Sequence, residues 1–332
     1  MAQDIDPGLA TEAVELPQLD QYLAPPPSLR EKLSITANMM IHGFGSPEFW
    51  NEIAHPIFID TDEGVSAVRV INRHLLSDPE APHVAILPPL GTSTAGGHNT
   101  DIANYFAENG YVVWMPSALG FEGKVDAGSY RDRSVKTISR YFDQALLGAR
   151  LEMGLESTPP NIFGASQGGG SGIGIQYRTI LRGESPRKIF AETPCSGDNG
   201  FTVGKCGKLA VQFTLKEPAA VARHILRQPN PARRAMQLLP TANLRPRAVA
   251  NTVVSGIGLI FGPDHSKVFA DELLNPSHTI VVRYDDDIVA SDVYPEDVVV
   301  HTPGLHMQVL GMSGRRQADE FFQETEPLIP VS

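Results

Sequence analysis

The chain has 332 residues, 42% hydrophobic and 20% charged, the balance of an ordinary globular protein with room for one large α/β domain and an insertion. Its formal net charge of −11 argues against a general nucleic-acid binder. The longest apolar run, Val253 to Gly262, is too short and too interrupted by glycine to cross a bilayer, so no transmembrane segment is expected.

The N-terminus is acidic and lacks the basic start and apolar run of a secretory signal. The expected location is therefore cytoplasmic, where Cys195 and Cys206 stay reduced. Residues 1–55 read as an extended arm ending in Pro25-Pro26-Pro27, then a helix from Ser28, with Glu31 at capping-box spacing. Pro56 to Asn72 holds two β-rich runs around an Asp-Glu-Gly turn, hence a hairpin. Alternating units follow: a strand at His83–Leu87, a helix over Asp101–Asn109 closed by Gly110, and a strand at Tyr111–Met115. A long helix over Ser134–Met153 carries Val135, Ile138, Phe142, Leu146 and Leu147 at helical spacing, and a short strand covers Asn161–Phe163.

Apolar strands alternating with helices predict a mostly parallel sheet covered on both faces. The pattern resumes at Lys188–Glu192, Thr279–Tyr284 and Asp297–His301, and closes with a helix near Arg315–Thr325. Between them, residues 196–275 have helical texture and no clear strand. They read as a cap inserted into a core made of 56–195 and 276–332.

Residues 161–170 read NIFGASQGGG, in which Gly164-Ala165-Ser166-Gln167-Gly168 matches G-x-S-x-G between an apolar strand and a helix beginning near Gly168. A serine on so tight a strand-to-helix turn has its Oγ pushed into the open at the carboxyl edge of the sheet. Glycines flank it because a side chain there would strike the neighbouring strand and helix. The helix N-terminus adds backbone donors where an oxyanion would form. The blander readings are a structural serine or a phosphate-binding turn, but no Lys follows the glycines as a P-loop requires.

Here the sequence resembles the α/β-hydrolase superfamily over roughly residues 80–195 and 277–325. ILPPLGTSTAGG looks like the loop after the third strand that supplies an oxyanion donor, and ANYFAENGYVVWMPSALGFEG resembles the next helix and strand. The turn GASQGGG is similar to that of acetyl-ester hydrolases of the cephalosporin/xylan deacetylase type, whose other features are not evident, so their substrate does not carry over. The resemblance implies an α/β-hydrolase fold with an acid and then a histidine after the serine. Asp286, in Asp285-Asp286-Asp287-Ile288-Val289 after the strand TIVVRY, fits the family frame because Ile288 and Val289 then take its apolar positions. Asp285, Asp287 and Asp264 stay open, and any two of the adjacent aspartates also read as a solvated turn or a metal-binding loop. His306 in Pro303-Gly304-Leu305-His306 matches the histidine motif, whereas His301 lies in the strand itself.

On this reading Ser166 attacks an acyl carbon, His306 takes its proton and Asp286 orients the imidazole. The backbone amides of Gln167 and Thr92 hold the oxyanion, and neither cofactor nor metal is implied. The expected activity is hydrolysis of a carboxylic ester through an acyl-enzyme. The alternatives are a thioesterase, amidase or acyltransferase with the same triad, or a non-catalytic relative that binds or scaffolds. Residues 201–250 add Lys205, Lys208, Lys216, Arg223, Arg227, Arg233, Arg234, Arg245 and Arg247 against a single acid, Glu217. That basic stretch reads either as a solvated face or one paired with the acidic body, or as an attractor of an anionic substrate, membrane surface or acidic partner. A small-molecule acyl ester is the expected ligand, and a homo-oligomer is compatible with the sequence.

Overall fold

The computed structural model describes residues 28–90, 92, 94–95, 97–122, 134–155, 159–195, 250, 253, 274, 277–284, 294–302 and 312–324. The expected cap, its basic stretch, Cys206 and Asp264 lie outside these residues apart from 250, 253 and 274, as do Asp285, Asp286, Asp287 and His306.

Helix α1 spans Leu29–His42, beginning where Ser28 predicts it. A second helix, α2 (Pro47–Ala54), was not foreseen; the Ser46 hydroxyl caps it by accepting the Phe49 amide at 3.1 Å, and Pro47 sits at its first turn. The hairpin forms as β1 (Ile57–Thr61) and β2 (Gly64–Ile71), with Thr61 opposite Gly64 across Asp62-Glu63. Next come β3 (His83–Leu87), α3 (Gly97–Glu108), β4 (Val112–Pro116), α4 (Val135–Glu152), β5 (Asn161–Ala165), α5 (Gln167–Leu181) and β6 (Ile189–Glu192). The last elements are β7 (Thr279–Tyr284), β8 (Val299–Thr302) and α6 (Met312–Gln323).

The eight strands form one sheet in the order β1-β2-β4-β3-β5-β6-β7-β8. The β1–β2 and β2–β4 pairings are antiparallel and the others are parallel. Every residue of β3, β4 and β6 is buried, as strands covered on both faces must be, which explains why they are apolar apart from His83 and Glu192 at the ends of β3 and β6.

From β3 the chain steps to β4 on one side, then crosses back over β3 to β5 and continues outward. Right-handed crossovers in opposite directions place their helices on opposite faces. Accordingly Ile138, Phe142 and Leu146 of α4 pack with Ile173 and Ile175 of α5 in one core. The other core joins Ile35 of α1, Phe49 and Trp50 of α2, Phe106 of α3, and Phe321 and Phe322 of α6. The reversal of direction between β3 and β5 opens a crevice at their carboxyl ends, the usual location of a ligand site in such sheets.

Candidate active site

Ser166 occupies that crevice. It is the N-cap of α5, directly after β5, with φ 52° and ψ −118°. Few non-glycine residues hold positive φ, and here the surroundings impose it. The Ser166 amide donates to the Glu192 carbonyl at 2.8 Å, and the Ser166 carbonyl accepts from the Cys195 amide at 3.0 Å. Both backbone groups are thus tied to the segment leaving β6. The turn closes tightly because two glycines allow it. A Cβ on Gly164 would lie 2.5 Å from the Gly168 carbonyl oxygen, and one on Gly168 would lie 2.2 Å from the Leu87 carbonyl oxygen.

The Ser166 Oγ lies 3.6 Å from the Cys195 Sγ. Gln167 opens α5, so its backbone N–H has no acceptor within the helix and points toward the turn's mouth. This is the geometry an oxyanion donor needs. Thr92 stands in the loop after β3 and is buried, but its amide donates to the Pro89 carbonyl at 3.3 Å, and its hydroxyl is held between Pro89 and Asn99. The structure therefore gives Thr92 a turn-forming role, and its amide is engaged in this state.

A buried arginine braces the crevice from below. Arg69 of β2 donates through Nε to the Ile53 carbonyl at 2.7 Å and through Nη1 to the Thr94 hydroxyl at 3.3 Å. Its Nη2 pairs with Glu122 at 2.6 Å. One side chain thereby links the end of α2, the loop after β3 and the loop after β4.

Sequence reasoning missed Glu192. It ends β6, is 3% exposed, and its Oε1 is buried without a hydrogen-bond partner among the described residues. Burial raises its pKa well above the usual carboxylate range. The available signal was an acidic residue closing an apolar strand. His301, expected to lie in the strand, does so in β8 and is exposed, 3.6 Å from the Glu296 carboxylate. None of the described helices is long and apolar enough to cross a membrane.

No protein-family model and no curated protein matches the sequence. Solved structures do match. The enol-lactonase from Burkholderia xenovorans LB400 superposes with a TM-score of 0.53 at 13% identity, over 81% of this chain and 100% of that one. The 2-hydroxy-6-oxo-6-phenylhexa-2,4-dienoate hydrolase from Rhodococcus sp. strain RHA1 gives 0.51 at 13% identity, over 81% and 99%. An α/β-hydrolase fold protein from Nakamurella multipartita gives 0.51 at 14% identity, over 81% and 99%. With the mostly parallel eight-stranded sheet and the serine turn after β5, these likenesses show that the chain has the α/β-hydrolase fold.

Proposed function

We propose that the protein is a serine hydrolase that cleaves a carboxylic ester through an acyl-enzyme, with Ser166 as nucleophile. The observation that carries this reading is the backbone of Ser166, held at positive φ between β5 and α5 by close approaches that only glycine permits at 164 and 168. A merely structural serine has no need of such a turn, whose effect is to lift the Oγ above the sheet edge beside the N-terminus of α5.

In the proposed reaction His306 accepts the Ser166 hydroxyl proton as the Oγ–carbon bond forms. The oxyanion is met by the Gln167 amide, and Thr92 contributes if the loop after β3 rearranges to release its amide. Collapse breaks the bond to the leaving oxygen, which takes the proton from the imidazolium. Water then attacks the acyl-enzyme, giving its proton to His306 and restoring Ser166 as the acid departs. The carboxylate that orients the imidazole is, on the sequence reading, Asp286. The solved hydrolases and lactonase of the same fold support hydrolysis as the reaction class, and the substrate is a small acyl ester.

The test is a panel of p-nitrophenyl esters of increasing acyl length, run with fluorophosphonate labelling on wild type, Ser166→Ala and His306→Ala. Ser166→Ala is expected to lose labelling altogether and to lose turnover by on the order of 10³-fold or more. His306→Ala should lose turnover comparably, and both should keep the wild-type circular dichroism. A Ser166→Ala protein that retains most of its activity refutes the nucleophile.

A further inference from the structure

Gly170 lies beyond the five-residue serine pattern, and the close approaches at Gly164 and Gly168 do not involve it. The chain leaving β6 gives it a reason. A Cβ on Gly170 would lie 2.0 Å from the Cys195 carbonyl oxygen, and one on Gly169 would lie 3.2 Å from the Pro194 Cβ. The carbonyl is a backbone atom that no change of rotamer can move aside. Residues 193–195 therefore cross the first turn of α5 as a strap, at a distance that only glycine allows at 170.

Hydrogen bonds fix the strap at both ends. The Thr193 amide donates to the Val282 carbonyl at 2.8 Å, prolonging the β6–β7 pairing by one residue. The Cys195 amide donates to the Ser166 carbonyl at 3.0 Å, the same oxygen that accepts the Gly170 amide at 3.1 Å. At the start of the strap Thr193, 1% exposed, turns with φ 42°, in the left-handed region that a β-branched residue rarely adopts. Such strain, of order 1–3 kcal/mol, persists only where the surroundings over-determine it. At the other end, the Cys195 side chain brings its Sγ to 3.6 Å from the Ser166 Oγ, in packing contact and within reach of a weak thiol hydrogen bond. Both residues are buried.

We propose that Cys195 is a positioning residue for the nucleophile: its side chain holds the Ser166 hydroxyl in the orientation from which it attacks, and the strap of residues 193–195 keeps it there. This inference rests on the serine-hydrolase reading. A serine side chain has three staggered wells, and a hydroxyl that visits all of them presents attacking geometry for only part of the time. The turn of Ser166 fixes the backbone alone. A sulfur in contact with the Oγ, itself carried by a backbone bonded to the Ser166 carbonyl, fixes the side chain as well. The gain is in preorganisation, so it belongs to kcat and to the intrinsic reactivity of the Oγ rather than to substrate affinity.

The experiment compares Cys195→Ala, Cys195→Ser, Gly170→Ala and Gly172→Ala with wild type. It measures kcat and KM for one p-nitrophenyl ester, the rate of fluorophosphonate labelling, and the melting temperature. Cys195→Ala is expected to lower both kcat and the labelling rate by about tenfold, with KM within about twofold of wild type. Cys195→Ser, which keeps a polar group at the same place, should fall between the two. Gly170→Ala keeps the thiol but pushes the strap off α5, and should show the same loss as Cys195→Ala. Gly172→Ala is the control: its Cβ would meet the Ile162 Cγ2 at 2.9 Å, away from the strap, so it should lower the melting temperature and leave the labelling rate unchanged. The proposal is overturned if Cys195→Ala keeps the wild-type kcat and labelling rate. It is equally overturned if Gly172→Ala loses labelling in the same proportion to its melting temperature as the strap variants, as a merely structural role would require. Should Gly170→Ala fail to fold, the two Cys195 variants decide alone. Retention of activity in Ser166→Ala would instead overturn the serine-hydrolase reading itself.

Discussion

Ser166 pays for its position with backbone strain of order 1–3 kcal/mol, and the rest of the turn must hold it there. Gly168 is the most sensitive support. Its missing side chain faces the Leu87 carbonyl oxygen at 2.2 Å, an atom of the buried strand β3 that cannot swing aside. Gly168→Ala is therefore expected to push α5 away from β3, destabilising the protein by about 1–3 kcal/mol and moving the Gln167 amide relative to the Oγ. Urea denaturation and the rate of fluorophosphonate labelling should both fall. A variant with wild-type midpoint and labelling rate would show that the turn has slack. The same residue scale explains what the sequence revealed. The five-residue pattern exposes Ser166 because its glycines answer a local steric demand. Glu192 stayed hidden because an acid at the end of a strand reads locally as the point where the chain meets water; only the pairing with Ala165 and Val282 encloses it. The histidine and the three adjacent aspartates were legible through family motifs alone and fall outside the described residues.

At the scale of elements, the site depends on loops that belong to different strands and are held by one side chain. Arg69 joins Ile53, Thr94 and Glu122 while itself only 6% exposed. Arg69→Met keeps most of the length and removes every one of these links. The expected cost is about 3 kcal/mol, with kcat reduced about tenfold or more as the loops flanking Ser166 lose their common anchor. Thermal melting and ester kinetics measured together check this; unchanged kcat in a destabilised variant would show that the loops hold their places without the arginine. The strands were legible because burial on both faces leaves mostly apolar residues in β3, β4 and β6, with His83 and Glu192 at the ends of β3 and β6. The helices were less so. Helix α3 begins at Gly97, ahead of the expected Asp101, because its first turn buries Asn99 and Thr100, polar residues that hide the apolar period. In α4, Ile138, Phe142 and Leu146 face the core as the spacing predicts, but Leu147 is 42% exposed, one step round the helix from that face. The eight residues of α2 are too few for periodicity to announce, and its Ser46-Pro47 start was the one readable cue.

Across the whole molecule the two rims of the parallel sheet divide the work. The carboxyl ends carry Ser166 and Glu192, whereas His83 opens β3 at the amino rim. His83 is 7% exposed, its Nδ1 has no hydrogen-bond partner among the described residues, and burial first and the Arg150 charge second lower its pKa from 6.5 to about 4. The ring is therefore neutral in the folded protein at neutral pH, beside Trp114. In the unfolded chain a histidine takes its proton near pH ~6.5. As pH falls below that value the unfolded state binds a proton that the native state refuses, so stability declines until the folded group also protonates near pH 4. The difference corresponds to about 3 kcal/mol, all of it lost between those two pH values. His83→Leu removes the proton site and leaves no partner unsatisfied. It should match or exceed wild-type stability at pH ~7.5 and gain on it steadily as pH falls toward ~4. Urea denaturation of both proteins at several pH values measures the gap directly, and parallel curves would refute the assignment. Because the substitution lies at the rim opposite the nucleophile, kcat at neutral pH should not change. A shift in kcat would mean that the two ends of the sheet are mechanically coupled.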